Sequence, residues 1–126
     1  HHSCRQFYYA SPPTLLESVI MEGLAEHAVE SLFGEHAVSS WTKRYSLETV
    51  TDYWHAHFLE HLSVRGLHNH QQFLFGDGQQ LPAHIGYCLG YRIVEAFLTK
   101  NPFLTTQQLL PISSEEITLG ADFTLR

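Results

Sequence analysis

The most constraining feature of this chain is the long stretch after Pro12-Pro13 that reaches Leu32 with no further proline, followed by Gly34. Proline is tolerated at a helix start and glycine suits its end, so the stretch predicts one long helix from about Pro13 to Leu32. At about 100° per residue, Leu15, Val19, Gly23 and Phe33 share one side and Leu16, Ile20 and Leu24 extend the apolar arc. Met21, Ala25, Ala28 and Val29 fill much of the remainder. A helix this apolar is expected to be central and buried. Yet Glu22, Glu26 and Glu30 form a stripe close to the Leu15-Val19-Phe33 direction. Ionised carboxylates are costly to bury alone. The stripe therefore predicts a metal with its histidine ligands, pairing with Arg5, Lys43 or Arg44, or a solvent edge. Gly23 costs about 1 kcal/mol relative to alanine inside a helix, which predicts the close approach of another backbone, as a facing metal helix would require.

The other elements follow from local signals. Residues His1 to about Tyr9 read as the tail of a helix. Ser46 is placed to cap a further helix reaching about Val64, ended by Gly66. Leu67 to Pro82 reads as polar and irregular, with a turn at Gly76-Asp77-Gly78 and a short extended piece at Phe73-Leu74-Phe75. A helical pattern returns from about Ile85 to Lys100, closed by Asn101-Pro102. Short helices near Thr106-Leu110 and Ser114-Leu119 complete a mainly α chain with little or no sheet.

Size and charge narrow the function classes. A chain of 126 residues, 44% apolar, fits one domain with one core. A formal charge of -6 with only seven Lys and Arg residues argues against a nucleic-acid surface. The expected partner is instead a small molecule, or a peptide or protein substrate. Cys4 and Cys88 fit no paired-cysteine pattern, so the default compartment is reducing, with a cytoplasmic location expected. No apolar run approaches the roughly 20 residues of a membrane span, so no membrane partner is expected.

Three segments together carry a family resemblance. His1-His2-Ser3-Cys4-Arg5 looks like the second half of a His-Glu-Tyr-x-His-x-Cys-Arg motif. Met21-Glu22-Gly23-Leu24-Ala25-Glu26 resembles the segment that supplies the third metal ligand in the same proteins. Gly86-Tyr87-Cys88-Leu89-Gly90-Tyr91-Arg92-Ile93-Val94 is similar to their Gly-Tyr-x-x-Gly-Tyr-x-Ile-Val motif. The chain thus resembles, from His1 to Phe123, a bacterial family of predicted zinc-dependent proteases with a gluzincin-like site. The resemblance implies a helical, metallopeptidase-like domain, the C-terminal part of a zinc peptidase that begins inside the zinc motif. It places His2 as the second histidine ligand, Glu22 as the glutamate ligand of a Zn2+ ion, and Glu26 as the acid that orients a ligand histidine. The first histidine and the general-base glutamate of the motif would precede His1. His1-His2 can also be read as the remnant of a purification tag.

The chemistry accounts for this spacing. Hydrolytic zinc takes three protein ligands and leaves a position for water. Two histidines at i and i+4 share a helix face, so the third ligand must come from another element, here the helix carrying Glu22. Gluzincins also place a Tyr or His donor opposite the metal to meet the developing oxyanion. By resemblance that donor is Tyr87 first, with Tyr91 one turn on and His84 just before the helix. His57 and His61, with His55 and Glu60 nearby, form a competing cluster that reads better as a solvated flank, and His68-Asn69-His70 is a weaker metal candidate. A non-catalytic helical domain that binds a ligand or partner is the alternative to a peptidase.

Overall fold

The computed structural model describes residues 12–125, with no side-chain description at Leu67. The predicted helix tail at His1 to Tyr9, and with it His2, lies outside the described residues. Among the described residues five α-helices occur: α1 Leu15–Phe33, α2 Leu47–Tyr53, α3 Leu67–Phe75, α4 Ile85–Lys100 and α5 Ser114–Gly120. Among the described residues there is no sheet, only an isolated antiparallel bridge between Thr14 and Arg65. No helix among them is long and apolar enough to cross a membrane.

α1 starts where its sequence dictates. The Thr14 side chain accepts from the Glu17 amide at 3.2 Å while the Glu17 carboxylate accepts from the Thr14 amide at 2.7 Å, a reciprocal cap of two free donors. The next amides are satisfied across the fold, Leu15 N–H by the Val64 carbonyl at 2.8 Å and Leu16 N–H by that of Leu62 at 3.2 Å. At the other end Gly34, at φ 95°, donates to the Glu30 carbonyl and stops the helix. Leu15, Leu16, Val19, Ile20, Met21, Leu24 and Ala28 are buried, as expected of the central helix. Phe33 is not: it is 66% exposed, because the last turn runs on beyond the packing centred at Gly23.

That centre is the crossing of α1 with α4. A Cβ built on Gly23 would lie 2.2 Å from the Gly90 carbonyl oxygen, and one on Gly90 would lie 2.1 Å from that of Val19. Two glycines therefore let the backbones touch. The predicted close approach at Gly23 is present, but the approaching backbone is that of α4, where a zinc helix was expected.

Two expectations fail instructively. α2 does not run evenly to Val64: it widens into a π-helical turn at Trp54–Phe58 and tightens into a 3₁₀ turn at Leu59–His61. The wide turn keeps both Trp54 and Phe58 in the core, with the Trp54 indole N–H donating to the Thr124 carbonyl at 2.8 Å. It also breaks the i,i+4 alignment assumed for His57 and His61. The polar segment after Gly66 is a helix, α3, and Phe73-Leu74-Phe75 is its last turn where an extended piece was expected. Its buried stripe is His70, Phe73 and Leu74. Its histidine was hidden from a hydrophobicity reading because it is buried through hydrogen bonds, Nδ1 with Ser18 Oγ at 2.8 Å and Nε2 with the Val64 carbonyl at 2.6 Å.

Candidate functional site

The connection between α1 and α2 organises the face above the α1/α4 crossing. Its segment from Ser39 to Tyr45 is fastened to α4 at several points. Arg92 Nε donates to the Tyr45 carbonyl at 3.0 Å, the Cys88 thiol to the Thr42 carbonyl at 3.2 Å, and the Tyr45 hydroxyl to the Ala83 carbonyl at 2.7 Å. Burial pushes the Cys88 thiol above its ordinary value, so it stays a protonated donor. The expected Arg92–Glu95 pair is present at 3.0 Å and steadies the guanidinium. Pinned in this way, the segment lays Trp41 on one part of the α1/α4 face and Lys43 on another.

Glu22 is half-buried on α1, and its carboxylate acts on Tyr87 of α4. Burial first, and the Glu22 charge second, raise the Tyr87 phenol above its ordinary value. Tyr87 is thus held as a neutral O–H donor. His84 precedes α4 in a left-handed conformation, φ 60° and ψ 25°, which is unusual for a residue with a side chain. Its ring stacks on the Trp41 indole at 4.6 Å with planes 8° apart, and lies 6.2 Å from the Tyr87 ring. Phe75 meets the Tyr87 ring edge-on at 5.1 Å and is 50% exposed. Within this cluster two buried nitrogens, Trp41 Nε1 and His84 Nδ1, have no hydrogen-bond partner among the described residues.

The remaining predicted residues are placed otherwise. Both carboxylate oxygens of Glu26 are held by Ser39, one by its amide at 3.1 Å and the other by its hydroxyl at 2.7 Å. The Tyr91 hydroxyl is directed to Glu30, at 2.9 and 3.1 Å from its two oxygens. Glu30 also faces Lys43 Nζ at 3.5 Å and His27 Nδ1 at 3.6 Å. His27 stacks on the Tyr91 ring at 4.2 Å, and its Nε2 donates to the Tyr91 carbonyl at 3.0 Å. Burial is the main cause lowering the His27 pKa, and burial followed by the Glu30 contact raises that of Tyr91. The structure therefore brings Tyr87 and His84 together, sets Tyr87 within reach of the Glu22 charge, and turns Tyr91 to a separate cluster.

Among the described residues no group of three or more His, Cys, Asp or Glu could hold a metal ion. Glu22 is the one predicted ligand within them, and a site there needs histidines from outside them. His57 rests against Tyr53, and His61 lies beside Glu60 and the Phe73 ring. Sequence reasoning missed Trp41, Ser39 and His27. An indole inside an otherwise polar connection was the available signal for Trp41. For Ser39 and His27 the local sequence carries none.

Comparison with known proteins follows the same residues. Over residues 1–119 the chain matches the family described as Predicted Zn-dependent protease (DUF2268). It is 35% identical over 113 residues to the uncharacterized protein YjaZ of Bacillus subtilis, covering 86% of this chain and 43% of that protein. To the uncharacterized protein YjfC of the same organism it is 28% identical over 114 residues, covering 80% of this chain and 38% of that protein. The chain thus spans less than half the length of these relatives. No solved structure matches it.

Proposed function

Because the chain belongs to the family of predicted Zn-dependent proteases, we propose that it is the helical part of a zinc peptidase that supplies one metal ligand and the groups facing the substrate carbonyl. Glu22 and His2 would bind Zn2+, with a further histidine completing the set. The observation that supports this reading is that Glu22 on α1 and Tyr87 on α4 flank the Gly23–Gly90 backbone contact, with the Glu22 charge adding to burial in raising the tyrosine's pKa. Bound there, zinc supplies a water whose pKa falls toward about 7. The chain's residues have three tasks. The Glu22 carboxylate would supply one ligand to the metal. The Tyr87 hydroxyl, kept protonated, donates to the oxygen that gains charge as the peptide carbonyl is attacked, with His84 beside it as a second donor. Glu26, braced by Ser39, retains lone pairs with which to orient a ligand histidine.

The test is zinc content and peptide cleavage of the full-length protein beside its Glu22→Ala variant. The expected outcome is stoichiometric zinc and cleavage in the parent, with both lost in a variant that remains folded. Unchanged zinc occupancy in Glu22→Ala would sink the ligand assignment.

A further inference from the structure

Trp41 and His84 share an unusual combination of features. Indole Nε1–H is a donor with no acceptor capacity, and leaving a buried donor unmade is costly. Here it is unmade, and so is His84 Nδ1 on the ring stacked against it. His84 adds a left-handed backbone conformation, an independent cost for a residue with a Cβ. The chain's other tryptophan shows the ordinary solution, since Trp54 is fully buried and its N–H is bound by the Thr124 carbonyl. The Trp41 arrangement is not caused by a loose segment: Thr42, Lys43 and Tyr45 are all hydrogen-bonded to α4. Strain and unmet hydrogen bonds that the surroundings hold in place are the pattern of a ligand-binding position. This one lies against Tyr87, with the Trp41 ring 5.8 Å from it.

We propose that Trp41 and His84 form a clamp for the substrate's main chain, in which the indole N–H donates to a peptide carbonyl and the imidazole Nδ1 meets the N–H of the same extended residue. One residue of an extended peptide presents its N–H and C=O to the same side, so a donor and an acceptor on adjacent stacked rings match it. The two rings part to admit the peptide and exchange unmet bonds for made ones. Trp41 is a positioning residue in this scheme: it touches the substrate away from the reacting carbonyl and fixes its approach to Tyr87. The proposal rests on the peptidase reading for its substrate class, and its ligand chemistry is that of any extended peptide main chain.

The experiment uses the zinc-loaded full-length protein with nitrogen-15-labelled tryptophan. The probe is a blocked tetra-alanine peptide whose central amide is reduced to a non-cleavable CH2–NH unit. The indole N–H resonance of Trp41 is expected to move and saturate with peptide, while that of Trp54 stays fixed as the internal control. Trp41→Phe, which keeps the ring and removes the donor, is expected to raise KM for cleavable peptides about tenfold, the size of one hydrogen bond, with kcat and zinc content unchanged. A Trp41 resonance unmoved at saturating peptide, or a KM unchanged in Trp41→Phe, overturns the clamp and leaves the peptidase reading standing. A Trp41 resonance that responds in a protein that binds zinc yet cleaves no peptide supports the clamp and removes the peptidase reading instead.

Discussion

Two glutamate–tyrosine encounters span the same pair of helices, and they are built to opposite ends. At one, Glu30 receives the Tyr91 hydroxyl, stands beside Lys43 and His27, and sits against the stacked His27 and Tyr91 rings. At the other, Glu22 acts on Tyr87 within an aromatic cluster that holds two unmet nitrogens and a left-handed residue. The two glutamates are eight residues apart, about two turns of α1, and the tyrosines are one turn apart on α4. The difference comes from the connection that crosses both: it brings a lysine to Glu30 and an indole to Tyr87. A cation neutralises and closes the first pair into a brace, whereas the second has an uncharged indole set beside its tyrosine.

The largest effect is expected where both encounters depend on one contact. Gly90→Ala drives a Cβ into the Val19 carbonyl, and the loss of stability should be about 3 kcal/mol despite alanine's better helix propensity. Chemical denaturation measures it, and a loss below about 1 kcal/mol would mean that the helices can part at little cost. Next come the paired hydroxyl deletions, which separate the brace from the site. Tyr87→Phe should lower kcat of the full-length protein about 100-fold and change stability by less than about 0.5 kcal/mol. Tyr91→Phe should do the reverse, costing about 1.5 kcal/mol of stability with kcat nearly unchanged. Equal effects of the two changes on kcat would erase the distinction. The smallest effect is in pH. The His27 pKa is lowered in the folded chain from an ordinary value of 6.5, so below that value the unfolded chain takes up a proton that the folded one resists. Stability from this residue is complete above pH 6.5 and falls as the pH drops toward the lowered folded value. Melting temperatures measured between neutral and mildly acid pH should show a shallower decline in His27→Phe, and parallel curves would remove His27 from the brace.

Much of the scaffold was legible because its signals are local. Pro12-Pro13 precedes α1 and Gly34 ends it by a positive φ, and the pattern from Ile85 to Lys100 coincides with α4. The third helix was missed because its inner face is carried by His70, whose burial depends on Ser18 and the Val64 carbonyl, both remote or outside the helix. At the site, Glu22 and Tyr87 were legible as motif positions, and the Glu22 charge acts on the Tyr87 phenol. Glu26 and Tyr91 were legible as residues but not in their contacts, because Ser39 and Glu30 reach them from positions 13 and 61 residues away in sequence.

The sequence by itself determined a mainly helical chain, a buried central helix with an acidic stripe, and the motif positions that mark the family. Helix caps, proline placement and apolar periodicity act over a few residues, so these features survive reading one position at a time. Only the tertiary structure decided which glutamate is braced and which faces the aromatic cluster. That choice depends on where a crossing connection sets down Lys43 and Trp41. It also depends on the Gly23–Gly90 contact, which brings two helices to backbone distance and holds every pair across them in register.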